Sequence, residues 1–155
     1  MKTWNQAVRD AGVSGSTAAI ASAVALAACG ETENGHPAAP VNAISHWIFG
    51  DRAFRQDRPT LRHTLTGYLT HHVAALFWAV LYERGLGQRT KSMPRTLGDA
   101  ALASAVACFV DYQCTPRRLM PGYEKRLSRK SLFIVYSAFA AGLAAGTVIL
   151  GRNRH

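Results

Sequence analysis

The sequence predicts an all-α integral membrane protein: an up-down bundle of four transmembrane helices, with a short amphipathic helix in the interface between the first and second. Three observations predict it. Residues 11–30, 63–82 and 131–150 are runs of twenty without Asp, Glu, Lys or Arg, each about 30 Å long as a helix and enough to cross a bilayer core. Charges crowd into the segments between the runs, so a chain that is 48% hydrophobic still averages a mean hydropathy of −0.01. A soluble bundle would set charges along an outer helix face, and these three runs have none.

Met1–Asp10 is a polar start with Lys2, Arg9 and Trp4, a ring suited to the membrane interface. The first span, 11–30, is mostly Ala, Ser and Gly. Ser14, Ala18 and Ser22 recur in it every fourth position, a spacing that lets a neighbouring helix approach closely. Leu26-Ala27-Ala28-Cys29 also has the form of a bacterial lipobox. Asp10, where a signal peptide should be positive, and the dilution of the run by Ser and Gly argue against that alternative. After Pro37 and Pro40, Val41, Ile44 and Ile48 share a helical face while Asn42, Ser45 and His46 point elsewhere. With Trp47 and Phe49, this predicts an interfacial helix over 41–49.

Gly50-Asp51 ends that helix, and a basic loop leads into the second span, 63–82, where Trp78 and Tyr82 suit the far interface. Gly85, Gly87 and Pro94 break the chain. Thr96-Leu97-Gly98-Asp99 then reads as a capping box opening the third span, 97–115. Pro121-Gly122 turns the basic segment 117–130. The fourth span, 131–150, contains Gly142-x-x-x-Gly146, where a close helix contact is expected and beside which Leu143 should matter far less. The whole, 1–155, is read as a single membrane domain.

Eighteen Lys and Arg against nine Asp and Glu leave a net charge of +9. The basic residues flank the apolar runs instead of forming one face with interleaved aromatics. Anionic lipid headgroups, not nucleic acid, are therefore the expected partner. A homo-oligomer, or a place as a subunit of a membrane complex, stays open. Orientation does too, since eight Lys and Arg fall on the side of the termini and ten on the other. Cys29, Cys108 and Cys114 show neither C-x-x-C nor zinc spacing and are read as free thiols.

The up-down topology makes depths comparable. Tyr68, Asp111 and Tyr136 each lie six residues inside a boundary on the side of the 117–130 segment, roughly 9 Å deep, with His71 and His72 about one turn deeper. Asp111, the one carboxylate well inside a span, is expected within reach of Tyr68 or His71. These five residues form a candidate intramembrane polar site with two readings: proton or ion handling, or buried pairs that fix helix register. Adjacent histidines invite haem or metal, but helix neighbours diverge by about 100° and the other spans hold no histidine. No cofactor is expected, with haem or metal at His71 and His72 the remaining alternative. No phosphate loop, G-x-S-x-G or H-E-x-x-H is present, and no catalytic residue is read.

The segments NAISHWIFGDRA (42–53), GYLTHH (67–72) and DYQCTPRRLMPGYE (111–124) resemble those of small bacterial inner-membrane proteins with four predicted helices. The resemblance covers most of the chain from Pro37 onward. It implies a multi-pass inner-membrane architecture and no particular mechanism. Two functional classes follow: an accessory or structural membrane protein, or a proton-, ion- or solute-handling one built on the His71/His72/Asp111 layer.

Overall fold

A computed structural model of the chain describes residues 1–87 and 92–152, and among these every regular element is helical. The long helices are α1 (Trp4–Asn34), α4 (Thr66–Gly85), α5 (Met93–Phe109) and α6 (Arg129–Arg152), with two short ones, α2 (Ala39–Ile44) and α3 (His46–Phe49). Wider π turns, Leu61–Leu65 and Val110–Cys114, lead into α4 and out of α5. Arg89 and Lys91 of the basic loop and Arg154 of the tail lie outside the described residues.

Helices α1 and α6 are long and apolar enough to cross a membrane. The other two expected spans are less so. Helix α4 has 20 residues, but Thr66, Thr70, His71 and His72 dilute it, because an uncharged run is not thereby a hydrophobic one. Helix α5 has 17 residues and carries Arg95 and Asp99. It begins four residues before the expected start, so Thr96 and Asp99 are not a capping box. Thr96 Oγ1 instead donates to Ser92 O at 3.0 Å, and Pro94 sits in the first turn, where no backbone N–H is required.

The chain divides into two compact units. The first comprises residues 1–22, 72–107 and 136–155. Its core is largely alanine (Ala11, Ala18, Ala19, Ala75, Ala79, Ala100, Ala144) with Tyr82, Phe139 and Leu143. Small side chains let the helix backbones meet. A Cβ on Gly142 would lie 2.4 Å from Ala18 Cα, and one on Gly146 2.3 Å from Ser14 Cα. Thr17 Oγ1 donates to Gly142 O at 2.8 Å across the same crossing. On another side of α1, a Cβ on Gly15 would lie 2.9 Å from the Leu76 side chain of α4. Tyr82 and Thr147 hydroxyls bond at 3.0 Å, and Ser104 Oγ donates to Tyr136 O at 2.7 Å. Leu143 is fully buried in this core, so its expected unimportance is corrected.

The second unit comprises residues 23–71 and 108–135. The interfacial helix expected over 41–49 is corrected here. It is two short helices hinged at Ser45, and Val41 to His46 are buried throughout, polar residues included, while Ile48 is exposed. Hydrogen bonding satisfies those polar groups, so the segment is an internal plug. Gly122, in the left-handed region at φ 95°, lets the 117–130 segment pass over it; a Cβ there would lie 2.6 Å from His46 Nδ1. Trp47 Nε1 donates to Met120 O at 2.9 Å, and Arg126 donates to Phe54 O and Asp57.

Glu33, past the uncharged run of α1, caps the start of α6. It accepts from Ser128 Oγ and Ser131 Oγ at 2.5 Å each and from Ser128 N at 2.8 Å. The Ser128 hydroxyl first, then Ser131 and the Ser128 amide, hold its carboxyl below the ordinary value of 4.5. A lowered folded-state value stabilises the fold above the unfolded value and loses that effect as pH falls through the folded one. Thermal unfolding of Glu33→Gln is therefore expected to lie below wild type at pH 7 and to converge with it under acid. A gap that stays constant to pH 3 would contradict the cap.

Candidate functional site

The densest polar constellation in the second unit is centred on Asn42, which is 0% exposed. Its Nδ2 donates to Gln56 O at 2.9 Å and Arg58 O at 3.0 Å, while its Oδ1 accepts from Thr64 Oγ1 at 2.6 Å. One buried amide thus ties the extended segment after Arg55 to the turn that opens α4. Thr60 completes that turn reciprocally. Its hydroxyl accepts from His63 N at 3.0 Å and its N–H donates to Thr64 Oγ1 at 2.9 Å. Beside this frame lies an open, almost wholly apolar groove of about 500 Å³, lined by Pro59, Thr60, Leu61, Thr64, Leu65 and Tyr68.

Ser45 Oγ and His63 Nδ1 are 3.0 Å apart, the spacing of a nucleophile and its base. The hydroxyl proton, however, is donated to Asn42 O at 2.7 Å. The bond to His63 then requires the ring N–H to donate, so His63 is not poised to take a proton from Ser45. The pair is a structural link. His46 likewise bonds Ala43 O through Nδ1 at 2.9 Å and rests 4.8 Å from the Phe54 ring.

In the first unit a buried ionic triad joins the start of α1 to the end of α4. Lys2 Nζ contacts Asp10 Oδ2 at 2.8 Å and also donates to Glu83 Oε2, with exposures of 5%, 2% and 0% for the three residues. Among the described residues, Glu83 Oε1 is buried without a hydrogen-bond partner, as is Asp99 Oδ2. The neighbouring Arg84 lays its guanidinium 5.2 Å from the centre of the Trp4 ring. None of this was anticipated, because Asp10 and Glu83 read in the sequence as the charged ends of uncharged runs.

The five residues of the expected polar layer fall in both units: Tyr68, His71 and Asp111 in the second, His72 and Tyr136 in the first. His72 Nε2 meets Ser16 Oγ at 3.2 Å, and Tyr136 offers its carbonyl to Ser104. Asp111 lies in the π turn after α5. Each of the five makes at least one polar or ring interaction. Among the described residues no three His, Cys, Asp or Glu side chains stand together in a metal-holding group. Cys29 is buried within the continuous α1, with Cys108 half-buried and Cys114 exposed, all as free thiols.

Among the described residues the fold is all-helical, with two helices long and apolar enough to cross a membrane. Comparison with protein-family models, curated proteins and solved structures finds no match.

Proposed function

We propose that this chain is a multi-pass protein of a bacterial inner membrane with an accessory or structural role, and that α4 and α5 join α1 and α6 in the bilayer. The observation that supports this reading most is the surface of α4. Leu69, Val73, Phe77 and Leu81, in line at every fourth position with Leu65 of the turn before it, are all exposed, while Gly67, Ala75, Ala79, Tyr82 and Glu83 are buried. Helix α5 repeats the pattern, with Leu97, Leu102, Val106 and Phe109 outside and Thr96, Ala100, Ser104 and Ala107 inside.

A soluble helix does the reverse, because burying large apolar side chains is what drives its packing. In lipid that drive between helices is absent, and small and hydroxylated residues gather at the contacts while large apolar ones meet the acyl chains. The test is fractionation. The protein is expected to stay in the membrane pellet after an alkaline carbonate wash, to need detergent for extraction, and to show the intact, unlipidated mass. Recovery from the soluble fraction would overturn the reading, and a mass showing cleavage before Cys29 plus acyl chains would replace it with a lipoprotein.

A further inference from the structure

We infer that the groove at the start of α4 holds an anionic phospholipid, its phosphate between Arg58 and Arg62 and an acyl chain along Leu61, Leu65 and Tyr68. The inference rests on the membrane reading above and adds a defined site to it. The groove is apolar, shallow and largely open to its surroundings. A soluble ligand is usually enclosed over most of its surface. An acyl chain needs cover on one side only, since bilayer hydrocarbon supplies the other. Leu61 is 86% exposed and Leu65, one residue before α4, leads into the exposed ridge of that helix, so the groove runs into the surface proposed to meet lipid.

Charge complementarity sets the headgroup. Arg52, Arg55, Arg58 and Arg62 are all exposed in the segment leading into the groove. Of its two acids, Asp57 is engaged by Arg126 of the 117–130 segment, which leaves the arginines in excess. Arg58 and Arg62 flank the groove residues 59–61. The Arg58 backbone is pinned by Asn42, and Arg62 is held with its guanidinium 4.6 Å from the centre of the Phe49 ring. Stacking on one face leaves the N–H edge of a guanidinium available for the paired oxygens of a phosphate. Asn42 also holds Thr64, so one buried amide positions both the polar and the apolar parts of the site.

The experiment uses the full-length protein in detergent, titrated with phosphatidylglycerol or phosphatidylcholine of matched chains and read by native mass spectrometry. Wild type is expected to retain one phosphatidylglycerol at detergent concentrations that strip phosphatidylcholine. Arg58→Gln and Arg62→Gln should each weaken retention about fivefold, the weight of one basic residue near an anionic lipid surface. Arg129→Gln, on the same unit, should not. Because Arg62 also stacks on Phe49, Arg58→Gln decides the matter if Arg62→Gln unfolds. Glycerol phosphate should not compete, since it lacks the chain. Equal retention of the two lipids, equal losses from all three variants, or displacement by glycerol phosphate would each overturn the site while leaving the membrane reading intact. A protein that is soluble without detergent would remove both.

Discussion

Lys2→Met is expected to destabilise the protein by about 3–5 kcal/mol, the usual cost of removing one partner from a buried ion pair. The cost falls on the carboxylates left behind. Asp10 and Glu83 are 2% and 0% exposed, and one ammonium group serves both. Without it, two negative charges remain in a region that water does not reach, where an uncompensated charge costs several kcal/mol. Arg9 also pairs with Asp10, Nε to Oδ1 at 3.7 Å, but its side chain is 75% exposed, so solvent screens that pair and it offsets little of the loss.

The same geometry predicts an asymmetry. Glu83→Gln removes one of the two charges, leaves the Lys2–Asp10 pair, and keeps an amide where the carboxylate was. It should cost far less than Lys2→Met, and the double variant should be more stable than Lys2→Met alone. Thermal unfolding in one detergent, run as a double-mutant cycle, measures all three. A loss within about 0.5 kcal/mol for Lys2→Met, the range of ordinary surface changes, would show that the triad is open to water.

That triad marks where the sequence stopped being legible. An uncharged run bounds a span and not a helix: α1 and α6 extend past their runs at both ends, while α4 keeps twenty residues but is shifted from 63–82 to Thr66–Gly85. Helix α1 continues through Asp10 to Asn34, since a charge ends a hydrophobic run without ending a helix. The depth comparison that grouped Tyr68, Asp111 and Tyr136 applies equally to the opposite ends of the runs. There the start of the first span meets the end of the second, and Asp10, Glu83 and Lys2 would have been grouped by it. Asn42 was harder to read. Its hydrogen bonds go to backbone carbonyls of Gln56 and Arg58, and backbone acceptors leave no mark in a sequence. The 41–49 stretch misled for a related reason: amphipathic spacing reports a polar side, and a polar side can face a hydrogen-bonding interior as well as water.

Gly146→Leu is expected to cost about 3 kcal/mol or more, the upper end of what overpacking a well-filled contact does, with Gly142→Leu close behind. A Cβ at residue 146 would lie 2.3 Å from Ser14 Cα, and one at residue 142 lies 2.4 Å from Ala18 Cα and 2.7 Å from Thr17 O. The nearest obstructing atom at each glycine is backbone, so no rotamer change in α1 relieves it and the two helices must separate. Separation also breaks the Thr17 Oγ1 bond to Gly142 O, a side-chain hydrogen bond that spans the crossing. Leu143→Ala is not a mild control. Leu143 is fully buried, and its truncation should itself cost about 2–5 kcal/mol by leaving a cavity. The proper control is Phe133→Leu on the same helix, where the ring is 75% exposed and the change should be within about 0.5 kcal/mol. Unfolding midpoints in a single detergent decide between these outcomes. If both glycine variants behave like Phe133→Leu, the α1–α6 crossing is looser than its backbone distances require, and the close contact through Ser14, Thr17 and Ala18 does not hold the first unit together.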